Sequence, residues 1–159
     1  MEWGPGGAMT AAQVLDFAGG FVVHITAGIG ALVGAMVFGP RKENKTVPGK
    51  LVLNVLGTGM LWVGWYGFNG GSALSAGADA AFACLATQIA AATAAIVWTA
   101  QDVLETGKAS MLGIATGSIA GLATVTPSPC LLFTLYAADG LTPAVQPAPL
   151  RAYYHPPAR

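Results

Sequence analysis

The sequence predicts an all-α fold, a polytopic bundle of membrane-spanning helices. Of its 159 residues, 54% are hydrophobic and 9% are charged, whereas a soluble domain has roughly 25% charged residues. Four stretches contain no formally charged side chain: 17–40, 51–78, 80–101 and 109–138. Each is long enough to cross a hydrocarbon core of ~30 Å, which takes about 20 apolar residues. The alternative, a soluble protein with four buried helices, is disfavoured because such helices usually keep a polar face.

The first predicted span covers residues 16–38 and contains an ionisable side chain, His24. Asp16 is suited to cap its start, and Gly39 is placed to end it. Ionisable residues in mid-membrane are costly and mostly face a cavity, a partner or a proton path. The alternative for His24 is a packed, hydrogen-bonded histidine. Residues 1–15 lack the basic region of a signal peptide and are predicted to form an extracytoplasmic loop.

Three further spans are predicted at about 51–72, 80–100 and 110–126. The loop between the first two spans holds four of the seven Lys and Arg residues, whereas the next loop holds only Asp79. The excess of basic residues places the first loop in the cytoplasm. Lys108 falls on the same side, so the four spans run inward, outward, inward and outward.

Glycines recur at four-residue spacing on two of the spans: Gly30 and Gly34 on the first, and Gly113, Gly117 and Gly121 on the fourth. Small residues at this spacing let the backbones of neighbouring membrane helices approach closely. Glycine is also common in membrane helices for no specific reason. We expect close packing, above all on the fourth span.

Several functional classes have no support in the sequence. The net charge is zero and no basic stripe exists, so no nucleic-acid partner is expected. Cys84 and Cys130 lack CxxC spacing and are interpreted as small apolar side chains. No ligand set predicts a metal or other cofactor. One histidine and one terminal acid offer no pair of nucleophile and base, so an enzyme is not expected.

Residues 128–159 differ in character from the four spans. Five prolines fall within the last seventeen residues, which excludes regular helix there. We expect this tail to be disordered or extended.

One face of the second span carries Trp65, Phe68 and Ser72, which are separated by three and four residues. With Ser72 at the outer end, Phe68 lies ~6 Å and Trp65 ~10 Å below it, and His24 lies ~12 Å below the same surface. If the two spans turn these faces together, the four side chains line one path. Alternatively, the aromatic rings face lipid or pack, and Ser72 merely ends its helix.

Four segments carry a resemblance to a known family. "DFAGGFVVHITAGIGALVGAMVFGPRK" resembles the signature of the ammonium transporter (Amt/Mep/Rh) family, through Asp16, His24 and Arg41 among others. "GWYGFNGGSA" is similar to the family's next helix, and "ATQIAAATAAIVW" and "GIATGSIAGLATVTP" continue in register. The resemblance covers about residues 10–127.

The resemblance implies a multi-pass protein of the cell membrane, a homotrimer when intact, in which each subunit has its own hydrophobic pore for ammonium or ammonia. Ser72 matches the hydroxyl of the outer vestibule, and Phe68 matches a gate phenylalanine. Trp65 matches the pore-lining tryptophan and His24 the first pore histidine. Asp16 matches the acid that organises the outer end of its helix.

The chain also departs from the family pattern. The four spans resemble the last helix of one inverted half and the first three of the other. The second pore histidine has no counterpart, because the surroundings of His155 are rich in proline. The pattern stops after Pro127, as a shifted reading frame or a truncated gene model would produce. We therefore expect an inactive fragment of an ammonium channel. The alternative is a non-transporting membrane subunit that assembles through its glycine faces.

Overall fold

The regular structure of this chain is entirely helical in the part that the computed structural model describes, residues 7–12, 14, 16–40 and 50–129. The predicted all-α fold is therefore confirmed. Residues 41–49 of the basic loop and most of the proline-rich tail lie outside the described residues. The elements, in chain order, are α1 (Ala8–Ala11), a π-helix (Phe21–Ile25), α2 (Thr26–Phe38), α3 (Leu51–Gly71), α4 (Ala78–Thr106) and α5 (Met111–Val125).

Three helical segments of the described part are long and apolar enough to cross a membrane: Phe21–Phe38, Leu51–Gly71 and Ala78–Thr106. Helix α5 has 15 residues. At 1.5 Å per residue it is about 22 Å long, which is less than a hydrocarbon core of ~30 Å. The four predicted spans thus correspond to four helices in the predicted order, and the fourth is shorter than a full crossing.

The first long helix begins later than the sequence pattern indicated, because Asp16 caps it from five residues upstream. Its Oδ2 atom accepts hydrogen bonds from the backbone N–H of Phe21 at 2.9 Å and of Val22 at 3.3 Å. Between them the chain turns through Gly19, whose φ of +75° favours glycine. The segment expected as helix from residue 16 is therefore a capping turn, and the helix itself begins at Phe21.

Helix α4 ends at Thr106 rather than near residue 100, where the sequence placed its end. The expected boundary rested on the first charged side chain, Asp102. A charge ends a membrane crossing, but it does not end a helix. The helix stops at Gly107, which adopts φ +76° and donates its N–H to the carbonyl of Val103 at 2.9 Å.

Close packing of α4 against α5 depends on the three glycines of the fourth span. A Cβ atom added at Gly117 would lie 2.6 Å from Cβ of Trp98, and one added at Gly121 would lie 2.7 Å from Cβ of Ala94. A Cβ at Gly113 would meet the carboxylate of Asp102. The predicted close approach along this face is confirmed, and it forms the core of the described bundle.

Polar side chains join α3 to α4. Asn69 and Thr87 are completely buried, and the Asn69 Nδ2 group donates to the Thr87 hydroxyl at 2.9 Å. Nearer the middle of α3, the indole of Trp62 donates to the side-chain oxygen of Gln88 at 3.1 Å, and the hydroxyl of Tyr66 donates to the same oxygen. Such hydrogen bonds between helices fix their relative register.

Helix α2 has an open surface within the described part of the chain. Leu32, Met36 and Phe38 are 61%, 75% and 88% exposed. A Cβ atom added at Gly30 or Gly34 would have no described atom within 4 Å. Close packing on this glycine pair therefore stays a prediction.

Candidate functional site

Three aromatic side chains from two helical segments meet in one stack. The imidazole of His24 lies on the indole of Trp65, with ring centroids 5.3 Å apart and planes 28° from parallel. The phenyl ring of Phe68 lies 6.1 Å from each of the other two rings. The two faces that the sequence placed on separate helices are thus turned towards each other, and this ring stack is the candidate site.

The π-helix presents the imidazole of His24 to α3. It spans Phe21–Ile25, and a π-turn is wider than an α-helical turn because its hydrogen bonds join residues five apart. The hydroxyl of Thr26 shares its one hydrogen between the carbonyls of Val22 and Val23, the latter at 3.0 Å. Single π-turns within α-helices are frequent at functional sites.

His24 has an unused hydrogen-bonding group inside the protein. Its Nε2 atom is buried and has no hydrogen-bond partner among the described residues. A neutral imidazole carries one donor and one acceptor nitrogen, so this atom can bind a small polar molecule that reaches the stack. His24 is therefore not the fully hydrogen-bonded packing histidine that the sequence left as an alternative.

Trp65 is held by a contact that the sequence did not indicate. Its indole N–H donates to the hydroxyl of Thr126 at 2.9 Å, and Thr126 is completely buried at the end of α5. The two residues are 61 positions apart in the chain, so no local spacing relates them. The only sequence signal was a hydroxyl side chain next to Pro127 at the end of an apolar helix.

Phe68 and Ser72 lie at the C-terminal end of α3. Phe68 is 41% exposed, so one side of its ring is open. The Ser72 hydroxyl donates to the carbonyl of Phe68 at 2.7 Å, within its own helix end. Ser72 therefore lies one turn beyond the ring stack, and its oxygen keeps the capacity to accept a hydrogen bond.

Asp16 lies at the start of the segment that carries His24, where its carboxylate caps the π-helix. Its Oδ1 atom is buried and has no hydrogen-bond partner among the described residues. The geometry gives Asp16 a structural function, since it fixes the helix end from which the imidazole projects.

The site combines aromatic faces with one imidazole and holds no other ionisable ring or cationic side chain in its stack. Aromatic faces attract cations, whereas an apolar environment penalises an unpaired charge heavily. In the described part of the chain, no group of three His, Cys, Asp or Glu side chains is placed to hold a metal ion. The arrangement suits transient contact with a small cation or with its neutral, hydrogen-bonding form.

Most of the chain is similar to known proteins. The family model for the Ammonium Transporter Family matches residues 1–139. A putative ammonium transporter of Methanothermobacter thermautotrophicus is 53% identical over 126 residues, which cover 79% of this chain and 31% of that protein. An ammonium transporter of Aquifex aeolicus is 48% identical over 126 residues, or 79% of this chain and 30% of that protein.

The fold of the chain is also similar to that of solved structures. The crystal structure of Candida albicans Mep2 matches with a TM-score of 0.73 and 38% identity over 80% of this chain and 30% of that one. Saccharomyces cerevisiae Mep2 matches with a TM-score of 0.70 and 38% identity, over 77% of this chain and 29% of that one. The chain thus spans about three tenths of the length of the relatives that it matches.

Proposed function

Because the chain belongs to the ammonium transporter family, an integral membrane family, we propose that the ring stack is one wall of a path for ammonium and ammonia. The observation that carries the proposal is the buried, unpaired Nε2 atom of His24 beside the faces of Trp65 and Phe68. The stack offers each form of the substrate a matching contact. Phe68, which is partly exposed, attracts the cation, and His24 binds the neutral molecule.

Selectivity follows from the cost of an unpaired charge. An apolar tube lined by rings penalises a bare cation, so K⁺ and Na⁺ are rejected. Ammonium differs because it can leave its proton with water at the outer end and continue as ammonia. Ammonia then exchanges hydrogen bonds with the imidazole of His24, which replaces part of its lost hydration.

The order of the side chains along α3 supports this path. Ser72 lies at the end of α3, one turn beyond Phe68, and Trp65 lies nearly a turn below Phe68. By analogy with the family, Ser72 contacts ammonium first, Phe68 gates its entry, and Trp65 guides it to His24. Asp16 maintains the helix start that aims the imidazole.

The described helices form one wall and leave the path open on the other side. Phe68, Val23 and Ile25 are 41%, 46% and 49% exposed. A path through lipid must be closed on all sides, because exposed polar backbone and wet cavities are not tolerated there. We therefore propose that the 159 residues alone do not conduct, and that the path is completed by further helices in a homotrimer of the cell membrane.

The test of the path uses a chimaera in which residues 16–127 replace the aligned segment of the Methanothermobacter thermautotrophicus relative, which is 53% identical. Ammonium flux is measured in liposomes that contain a pH probe. We expect flux above that of empty liposomes, and a marked fall on His24→Leu with similar amounts of folded protein. Ile29→Leu, at an exposed position of α2, is the control and should leave the flux unchanged.

Three results would contradict parts of this proposal. A folded chimaera without ammonium flux would favour a non-transporting membrane subunit. Full flux in the His24→Leu chimaera would remove the imidazole from the path. The isolated chain is measured in the same assay, and specific flux that is lost on His24→Leu would show that 159 residues suffice to assemble a path.

A further inference from the structure

We propose that Thr126 is a positioning residue, whose hydroxyl holds the Trp65 indole in the orientation that stacks on His24. The inference rests on the proposed function, since it assigns Thr126 a part in the same path. Its basis is the 2.9 Å hydrogen bond from the indole N–H to a hydroxyl that is completely buried. Trp65 itself is only partly buried, so its ring is not fixed by packing alone.

The Thr126 hydroxyl has a single orientation available to it. A hydroxyl has one hydrogen to donate, and that of Thr126 goes to the carbonyl of Leu122 at 2.8 Å. The hydroxyl therefore meets Trp65 only as an acceptor. The indole N–H is in turn engaged by the protein, so Trp65 presents its ring face, not its donor, to a molecule beside His24.

The next residue fixes the other side of the stack. The carbonyl of Pro127 accepts a hydrogen bond from the N–H of Phe17 at 2.8 Å. Gly20 packs against the Pro127 ring so closely that a Cβ atom added at Gly20 would lie 2.6 Å from the Cγ atom of Pro127. Gly20 immediately precedes the π-helix that carries His24.

Thr126 and Pro127 together, which we name the α5 turn, thus hold both partners of the stack. Thr126 orients the indole of Trp65, and Pro127 contacts the residues that precede the π-helix of His24. The 5.3 Å separation of the two rings is set from this single turn. We therefore expect that removal of the Thr126 hydroxyl changes the ratio of methylammonium to ammonium flux, in addition to any change in the amount of folded protein.

Thr126→Val tests this, because it keeps the shape of the side chain and removes the acceptor. The indole N–H is then left without its partner, and the ring is free to turn away from the imidazole. The ammonium flux should fall, because the ring that lines the path beside His24 is no longer held in one orientation. The ratio of methylammonium to ammonium flux should rise, because the loosened ring no longer defines the width of the path.

The matched controls are Thr126→Ser and Thr124→Val, all in the chimaera. Serine keeps the hydroxyl and should restore both the flux and the ratio. The hydroxyl of Thr124 also donates within α5, to the carbonyl of Ala120 at 2.7 Å, but Thr124 is exposed. Its loss should leave the ratio unchanged. An unchanged ratio in Thr126→Val, or an equal change in Thr126→Ser, would overturn the inference.

A second measurement separates this inference from the proposed function. The 159-residue chain is labelled with ¹⁵N at its indole nitrogens, and the Trp65 resonance in micelles is assigned with Trp65→Phe. We expect the indole proton to shift upfield in Thr126→Val and to stay in place in Thr126→Ser. An unmoved resonance in Thr126→Val would overturn the inference even if no chimaera conducts, whereas the proposed function is judged by flux alone.

Discussion

The contact between α4 and α5 is most sensitive at Gly121, where the structure leaves no room for a methyl group. An added Cβ atom would lie 2.7 Å from Cβ of Ala94 and would press on the carbonyl oxygen of Ala90. Carbon atoms pack at about 3.5–4.0 Å. Gly121→Ala therefore forces the two helices apart by about 1 Å, or bends one of them.

The cost of Gly121→Ala follows from this displacement. Overpacking of a dense core costs about 1–3 kcal/mol, and contact with a backbone carbonyl cannot be relieved by a rotamer change. The matched control is Gly64→Ala on α3, where an added Cβ atom has no described neighbour within 4 Å. Both changes place alanine in a helix interior, so their difference isolates the steric term. We expect Gly121→Ala to be about 2 kcal/mol less stable than Gly64→Ala.

The assay is the free energy of unfolding of each variant in mixed micelles, with SDS as denaturant and helix content from circular dichroism. Equal unfolding free energies for the two variants would refute the close approach of α4 and α5.

Three further predictions concern the first span and the topology. Asp16→Ala should lower the free energy of unfolding by about 1 kcal/mol, because two backbone N–H groups lose their cap. Asp16→Asn keeps an acceptor and should lower it by less, and equal losses in the two variants would contradict capping. Gly20→Ala should cost about 1–3 kcal/mol in the same assay, because the new methyl group meets Pro127; a stable variant would show that this contact is loose. Of the variants Lys45→Cys and Asp79→Cys, only the second should react with an impermeant thiol reagent added outside the cell, and modification of the first would reverse the topology.

The existence and order of the helices were predictable because they depend on local composition. An uncharged run of sufficient length has few stable forms in lipid other than a helix. Helix ends were less predictable. The end of α4 depends on Gly107 and its left-handed conformation, not on the charge of Asp102. The start of the first span depends on a carboxylate that reaches forward five and six residues to Phe21 and Val22.

The part of the site that depends on local spacing along one helix was predictable from the sequence. Trp65 and Phe68 share a face of α3 by their spacing alone, whereas their contact with His24 requires the relative rotation of two helices. The π-turn at His24 leaves no recognisable pattern in apolar residues. The bond from Trp65 to Thr126 joins positions 61 residues apart, and only the packed bundle brings them together.

Chemical modification of α3 tests whether the ring stack faces the path for ammonium. In a chimaera without other cysteines, including Cys84→Ala, we compare Phe68→Cys with Val63→Cys, an exposed position on another face of α3. A membrane-permeant maleimide is added, labelling is quantified by mass, and ammonium flux is measured before and after. We expect modification at position 68 to block the flux and modification at position 63 to leave it unchanged. Undiminished flux through a chimaera that is fully modified at position 68 would show that the ring stack does not line the path.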